Sequence, residues 1–154
     1  IEHVFHQPEL HILMLRLPKI LTLLLGIALV CSARAEIVVV VNKDSPVNSF
    51  SRRELVDLYM GRTQHFPDGS LVLRLDLPPD SQARNDFYRG LVNKSVAEVN
   101  AYWAKLLFTG RASPPQVISN SANVLKAVRE NKNAIGYLDS KDVDKSVKVV
   151  SRVD

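Results

Sequence analysis

A strand, a proline turn and the start of a helix follow one another between residues 71 and 91, and this order constrains the fold most. The apolar run at 71–77 predicts a buried strand. Pro78 and Pro79 end it, because proline continues neither a strand ladder nor a helix interior. Asp80 or Ser81 can cap the helix that follows, whose apolar stripe includes Phe87.

The amino end of this helix is predicted to bind an anion. Free backbone N–H groups, here those of residues 81–84, point outward at such an end, and the helix dipole favours negative charge. Arg84, one turn in, adds a cation with a fork of donors that suits phosphate, sulfate or carboxylate. The alternative is that this junction binds nothing and that Arg84 is solvated or paired with Asp80 or Asp86.

Strands and helices alternate along the chain in the order β-α-β-α-α-β-α-β-β. The β-branched run at 37–41 predicts a strand buried on both faces, and 134–138 and 147–150 are the last two strands. Capping boxes at Ser51 and Ser95 mark two helix starts. This pattern predicts an α/β fold, a three-layer sandwich with a mostly parallel sheet and helices on both faces.

The helix that begins after Ser95 carries a stripe of large side chains, namely Val99, Tyr102, Trp103, Leu106 and Leu107. Its helical spacing favours Trp103 as a core anchor over a ligand platform.

Arg111 follows the glycine that ends this helix and can assist ligand binding, or it is a solvated arginine. Asn120 or Ser121 is predicted to cap the next helix.

Residues 14–35 have the pattern of a signal peptide. Two basic residues precede an apolar segment at 20–30, which is too short to span a membrane, and a small-residue cleavage site follows at 33–35. Residues 1–13 precede Met14 and are predicted to be an untranslated or extra leader.

Cleavage is expected between Ala35 and Glu36, which leaves residues 36–154 as one domain in the periplasm. A lipid anchor on Cys31 is the alternative, but Val30 is large for the position before a lipidated cysteine.

The composition after the leader excludes several classes of function. Lysine and arginine number 17 against 14 aspartate and glutamate, with both signs interspersed, so no basic face for nucleic acid is predicted. No cysteine remains and His65 is the one histidine. We therefore predict no metal, no cofactor, no catalytic residue and no enzyme activity.

Asp80-Ser81-Gln82-Ala83-Arg84 followed by Phe87 resembles the Asp-Ser-Gly-Thr-Arg-x-x-Phe turn of the PstS-like phosphate ABC transporter substrate-binding proteins. Four further segments are similar to the family's segments in the same order: Val-Val-Val-Val-Asn at 38–42, Phe-Ser-Arg-Arg-Glu-Leu at 50–55 with Gly61, Asp-Gly-Ser-Leu at 68–71 and Ala-Ile-Gly-Tyr at 134–137. The resemblance implies one lobe of a type II periplasmic binding protein, the family's second lobe; no first lobe is visible.

The resemblance also implies an anion site made by Ser81, Gln82, Ala83 and Arg84. Secondary candidates are Asp80, Arg111, Ser119 and Ser121. Gln82-Ala83 stands where the family has Gly-Thr, so the close backbone approach of glycine and the hydroxyl donor of threonine are both lost. Selection of phosphate over sulfate would depend on a buried carboxylate, for which Asp76 and Asp80 are the candidates.

The predicted function is a periplasmic domain that binds phosphate or a related oxyanion and is linked to phosphate ABC transport. One lobe leaves the ligand partly hydrated, so the expected dissociation constant is on the order of 0.1–1 mM unless a second protomer or a partner closes the cleft. The alternative is a ligand-free module of the same fold that contacts an envelope sensor or transporter. An exposed apolar patch would favour this alternative.

Overall fold

The computed structural model describes residues 35–154, so the predicted leader and signal peptide, apart from Ala35, lie outside the described residues. The strands are β1 (Ile37–Asn42), β2 (Leu73–Asp76), β3 (Gln116–Val117), β4 (Ala134–Asp139) and β5 (Val147–Val153). The helices are α1 (Arg52–Tyr59), α2 (Gln82–Val92), α3 (Val96–Phe108) and α4 (Ser121–Glu130), with a 3₁₀ turn at Ser140–Asp142. Their order along the chain is the predicted one.

The five strands form one sheet in the order β3-β2-β4-β1-β5. β2 pairs in parallel with β3 and with β4, whereas β1 is antiparallel to both β4 and β5. Four strands therefore share one direction and β1 alone runs against them. All six residues of β1 are buried, as its β-branched composition predicts.

Helices cover both faces of the sheet, as adjacent residues of β4 show. A Cβ at Gly136 would lie 2.6 Å from Cγ1 of Val124 in α4, so only glycine lets this helix approach. The next residue, Tyr137, faces the opposite way, and its ring stacks on Phe87 of α2 with 3.8 Å between ring centroids. The predicted three-layer α/β fold is confirmed.

Local capping decides where the helices begin. The capping boxes at Ser51 and Ser95 are both formed. Ser81, not Asp80, caps α2, because its hydroxyl accepts from the backbone amide three residues later. Asn120, not Ser121, caps α4 in the same way.

Two predictions about single residues need correction. The strand predicted from residue 71 begins at Leu73, because Leu71 forms an isolated bridge with His65 instead. Leu107 was predicted to face the core, but 58% of it is exposed. It lies in the last turn of α3, and the edge strand β3 is only two residues long, so the sheet described within residues 35–154 does not cover that turn.

Within residues 35–154, no helix has both the length and the apolar character needed to cross a bilayer.

Candidate functional site

A cleft of about 270 Å³ opens where β2 and β3 end, beside the first turn of α2. Asp76, Arg84 and Asn100 supply its polar groups. Its walls are apolar and include Trp103, Leu107, Pro114 and Pro115. The carboxyl ends of strands in open α/β sheets are where such proteins place their ligands. We therefore treat this cleft as the candidate site.

The Asp76 carboxylate is buried at the floor of the cleft and is surrounded by donors. One oxygen, Oδ1, accepts from the Leu77 amide at 2.8 Å and from the Tyr137 hydroxyl. The other, Oδ2, accepts from the Tyr88 hydroxyl at 3.0 Å and lies 3.1 Å from Nε of Arg84. A carboxylate has about four acceptor positions. Asp76 therefore accepts three hydrogen bonds, and Arg84 lies against its remaining position, which leaves little room for a ligand proton.

Burial raises the pKa of Asp76, and the hydrogen bond from Tyr137 and the charge of Arg84 act against that rise. Burial, with the nearby negative charge of Asp76, also holds the pKa values of Tyr88 and Tyr137 well above the ordinary value for tyrosine. Both hydroxyls therefore keep their protons at neutral pH and act as donors.

Arg84 is 4% exposed and turns inward rather than toward solvent. Its Nη2 donates to Oδ1 of Asn100 at 3.0 Å, and its guanidinium lies over the ring of Tyr88. The N–H at Nε is close to Asp76 but is not aligned for a hydrogen bond with any acceptor in the described residues. The partner of Arg84 is thus Asp76, and neither Asp80 nor Asp86.

Arg74 is a second buried arginine near the cleft, and it was not predicted as a site residue. It donates to the carbonyl oxygens of Leu58 and Ser113, and its guanidinium lies over the ring of Trp103. Within residues 35–154 no carboxylate lies within ion-pair distance of it. A usable signal existed: Arg74 and Asp76 alternate along one face of an otherwise apolar strand.

Two of the four amides predicted to bind an anion are already engaged. The Ser81 amide donates to the Pro78 carbonyl, and the Arg84 amide donates to the Ser81 hydroxyl. The amides of Gln82 and Ala83 occupy the first turn, where no helical acceptor exists. The side chain of Gln82 donates to Asp86 along the helix surface.

The secondary candidates divide by position. Asp80 is exposed in the turn before α2, close to the cleft. Arg111 is exposed beyond α3 and is not among the residues that line the cleft. Ser121 lines a different cleft at the start of α4, and the Ser119 hydroxyl accepts from Asn123. The structure thus does not bring Arg111, Ser119 or Ser121 to the Asp76 site.

The sequence did not predict that Asn100, Pro114 and Pro115 line the cleft. An asparagine on the polar side of a helix and a pair of prolines look the same in a sequence whether or not a cleft lies between them. Trp103 is buried as predicted, yet it also forms part of the cleft wall. In the part of the chain that the structure covers, no group of histidine, cysteine and acidic side chains could hold a metal ion.

No protein-family model matches this chain, and no curated protein matches it by sequence. Its fold is similar to that of an ABC-type phosphate transport receptor from Vibrio cholerae, with a TM-score of 0.61 and 20% identity over 76% of this chain and 46% of that one. A putative phosphate ABC transporter substrate-binding protein from Clostridium perfringens, solved with bound phosphate, has a TM-score of 0.61 and 21% identity over 76% of this chain and 44% of that one. PstS from Borrelia burgdorferi has a TM-score of 0.59 and 12% identity over 76% of this chain and 47% of that one.

The chain spans less than half the length of each of these structures. At these identities the likeness concerns the fold, and it confirms the predicted PstS-like resemblance at that level. The described domain has the fold of one lobe of a type II periplasmic binding protein.

Proposed function

We propose that this domain binds phosphate or a related oxyanion at the first turn of α2, in the periplasm, in connection with phosphate ABC transport. One observation carries the proposal: two arginines, Arg74 and Arg84, and one aspartate, Asp76, are the charged residues buried in the described domain. Their net charge is positive, and Asp76 and Arg84 line the cleft at the amino end of a helix. Both features favour an anion. The phosphate-related proteins of the same fold add support.

Binding by the described domain is expected to be weak. Asp76 neutralises Arg84, so the attraction comes from the helix end and from Arg74. Arg74 does not line the cleft, but its guanidinium lies over the ring of Trp103, which does. Asp80 is an exposed acidic residue next to Pro79, which lines the cleft, so it opposes an anion nearby. A dissociation constant on the order of 0.1–1 mM is expected unless a second protomer or a partner closes the cleft.

Replacing Arg84 would be a poor test, because it leaves the Asp76 carboxylate buried without its counter-ion. Gln82→Pro is sharper, because it removes one proposed donor amide and no charge. Proline is tolerated at the first position of a helix, and Ser81 already has an extended conformation that a following proline requires. Val96→Pro is the matched control, because it makes the same change at the start of α3 after Ser95.

The measurement is a calorimetric titration of phosphate into the protein purified after secretion, in an anion-poor buffer. We expect saturable binding that Gln82→Pro weakens at least tenfold and Val96→Pro leaves unchanged. Absence of heat at millimolar phosphate would retire the oxyanion proposal for this protein. Equal losses in both variants would show that the amide of residue 82 is not a ligand donor.

The second candidate function is an interaction module that contacts an envelope sensor or transporter. Phe108 favours it: this side chain is 93% exposed, follows the exposed Leu107 and does not line the cleft. Exposed aromatic residues next to other apolar groups are typical of protein contacts. A photo-crosslinking residue at 108 should then give a discrete adduct in cells, whereas one at the exposed Lys132 should not. No adduct at 108 would count against this function.

A further inference from the structure

The walls of the Asp76 cleft are unusually apolar for an inorganic anion site. Trp103, Ala104 and Leu107 form the side made by α3, and Pro114 and Pro115 form the side made by the following loop. Leu107 and Val117, both more than half exposed, line this cleft. Single exposed apolar residues are ordinary, but two that converge on one cleft require a reason.

The polar side chains that line the cleft are clustered, because Arg84 contacts both Asp76 and Asn100. Asp76 and Arg84 form the buried floor next to α2, and Asn100 bonds to Arg84 at its margin. A concave, mostly apolar surface with a few polar groups at one end is the usual form of a site for a small organic molecule. Inorganic phosphate has no apolar surface to place against the walls, so it would leave them in contact with water.

Two buried donors of the cleft-lining residues lack a well-aligned acceptor. Nε of Arg84 lies 3.1 Å from Oδ2 of Asp76 without aligning to it, and Nε1 of Trp103 has no hydrogen-bond partner among residues 35–154. Both residues are at least 95% buried. Buried donors in folded proteins are nearly always satisfied. A bound molecule with oxygen atoms at its charged end could supply an acceptor to this part of the cleft after a small side-chain adjustment.

We propose that the natural ligand of this cleft is an organic oxyanion: a phosphonate, phosphate ester or similar group that carries an apolar substituent. The charged end lies at the first turn of α2 and at the floor, and the apolar substituent lies between Trp103, Leu107 and the proline wall. This inference rests on the proposed function, because both place an oxyanion at the first turn of α2. It adds the class of molecule that carries the oxyanion.

Calorimetric titration of three probes into the secreted protein tests the inference: inorganic phosphate, methylphosphonate and phenylphosphonate. Burying most of a phenyl group against apolar walls should make phenylphosphonate bind roughly tenfold tighter than phosphate, with methylphosphonate between them. Leu107→Ser should reduce the advantage of phenylphosphonate to less than about threefold, since it removes part of the wall. Leu71→Ser is the matched control, because Leu71 is equally exposed but lies outside the cleft, and it should retain the full advantage.

The outcomes separate this inference from the proposed function. Phosphate that binds as well as phenylphosphonate would overturn the inference and leave the oxyanion function intact. No binding of any probe would overturn both. An advantage for phenylphosphonate that Leu107→Ser and Leu71→Ser affect equally would place the phenyl group elsewhere and would also overturn it.

Discussion

Nε of Arg84 lies 3.1 Å from Oδ2 of Asp76, and both side chains are almost fully buried. This pair joins the first turn of α2 to the end of β2, so it fixes the helix end against the sheet at the candidate site. Because Arg84 already pairs with Asp76, its charge is largely neutralised and is less available to a ligand. Arg84 is therefore better described as a structural partner of Asp76 than as a mobile ligand clamp.

Removing one member of this pair should destabilise the domain strongly. Arg84→Ala leaves a buried carboxylate without its counter-ion, a change that typically costs about 3–5 kcal/mol. Adding Asp76→Asn should recover part of that loss, because the neutral amide needs no counter-ion. Urea unfolding of the two single variants and the double variant measures both effects. A loss below about 1 kcal/mol for Arg84→Ala would show that the pair is not a structural contact.

The raised pKa of Asp76 predicts a particular pH dependence of stability. Burial favours the protonated form in the folded state, so the stabilising contribution is complete below the unfolded pKa and is lost as pH rises through the folded pKa. Tyr88, Tyr137, Arg84 and the Leu77 amide face this carboxylate. Burial raises the pKa values of the two tyrosines well above their ordinary value, so both hydroxyls stay protonated throughout that range.

Asp76→Asn removes this titration. The free energy of unfolding of the wild type minus that of Asp76→Asn should therefore be largest near pH 3.5 and should decrease toward pH 7. Urea unfolding at several pH values gives the difference directly. A difference that increases with pH would mean that the folded state prefers the ionised carboxylate.

The hydrogen bonds that Asp76 already accepts predict little discrimination between phosphate and sulfate. Selection for phosphate needs a carboxylate that accepts the ligand's proton. Asp76 already accepts three hydrogen bonds and has Arg84 against its remaining position, whereas Asp80 is exposed to water. The two dissociation constants should agree within about threefold at pH 7. Competition of sulfate against phosphate in a calorimetric titration checks this, and a preference for phosphate above tenfold would contradict it.

Gly136→Ala should destabilise the domain by about 1–3 kcal/mol, the usual cost of overpacking. The new methyl group would meet Cγ1 of Val124, and a β-branched side chain in a helix has little freedom to move away. Val124→Ala in the same chain should restore part of the stability, because it removes the clashing atom. Thermal unfolding of the single and double variants measures the effect, and an unchanged midpoint for Gly136→Ala would contradict it.

The sequence predicted those features that neighbouring residues determine. The capping boxes at Ser51 and Ser95 need only residues three apart, so they were found. The direction of the Arg84 side chain depends on Asp76, across the turn, and on Asn100, in the next helix, so spacing could not reveal it. The exposure of Leu107 was missed for a similar reason: a helical stripe shows which side is apolar but not how far the sheet extends beneath it.

The position of β1 has a consequence for how the chain acquires its structure. β1 is the first described strand, yet both of its neighbours, β4 and β5, are the last two. Until those strands have left the ribosome, both edges of a strand with five consecutive β-branched residues remain unpaired. Such an edge is a template for aggregation, and pairings this distant in sequence form slowly. The sheet therefore closes only after β4 and β5 have been synthesised, and until then the unpaired edges of β1 favour association with other chains.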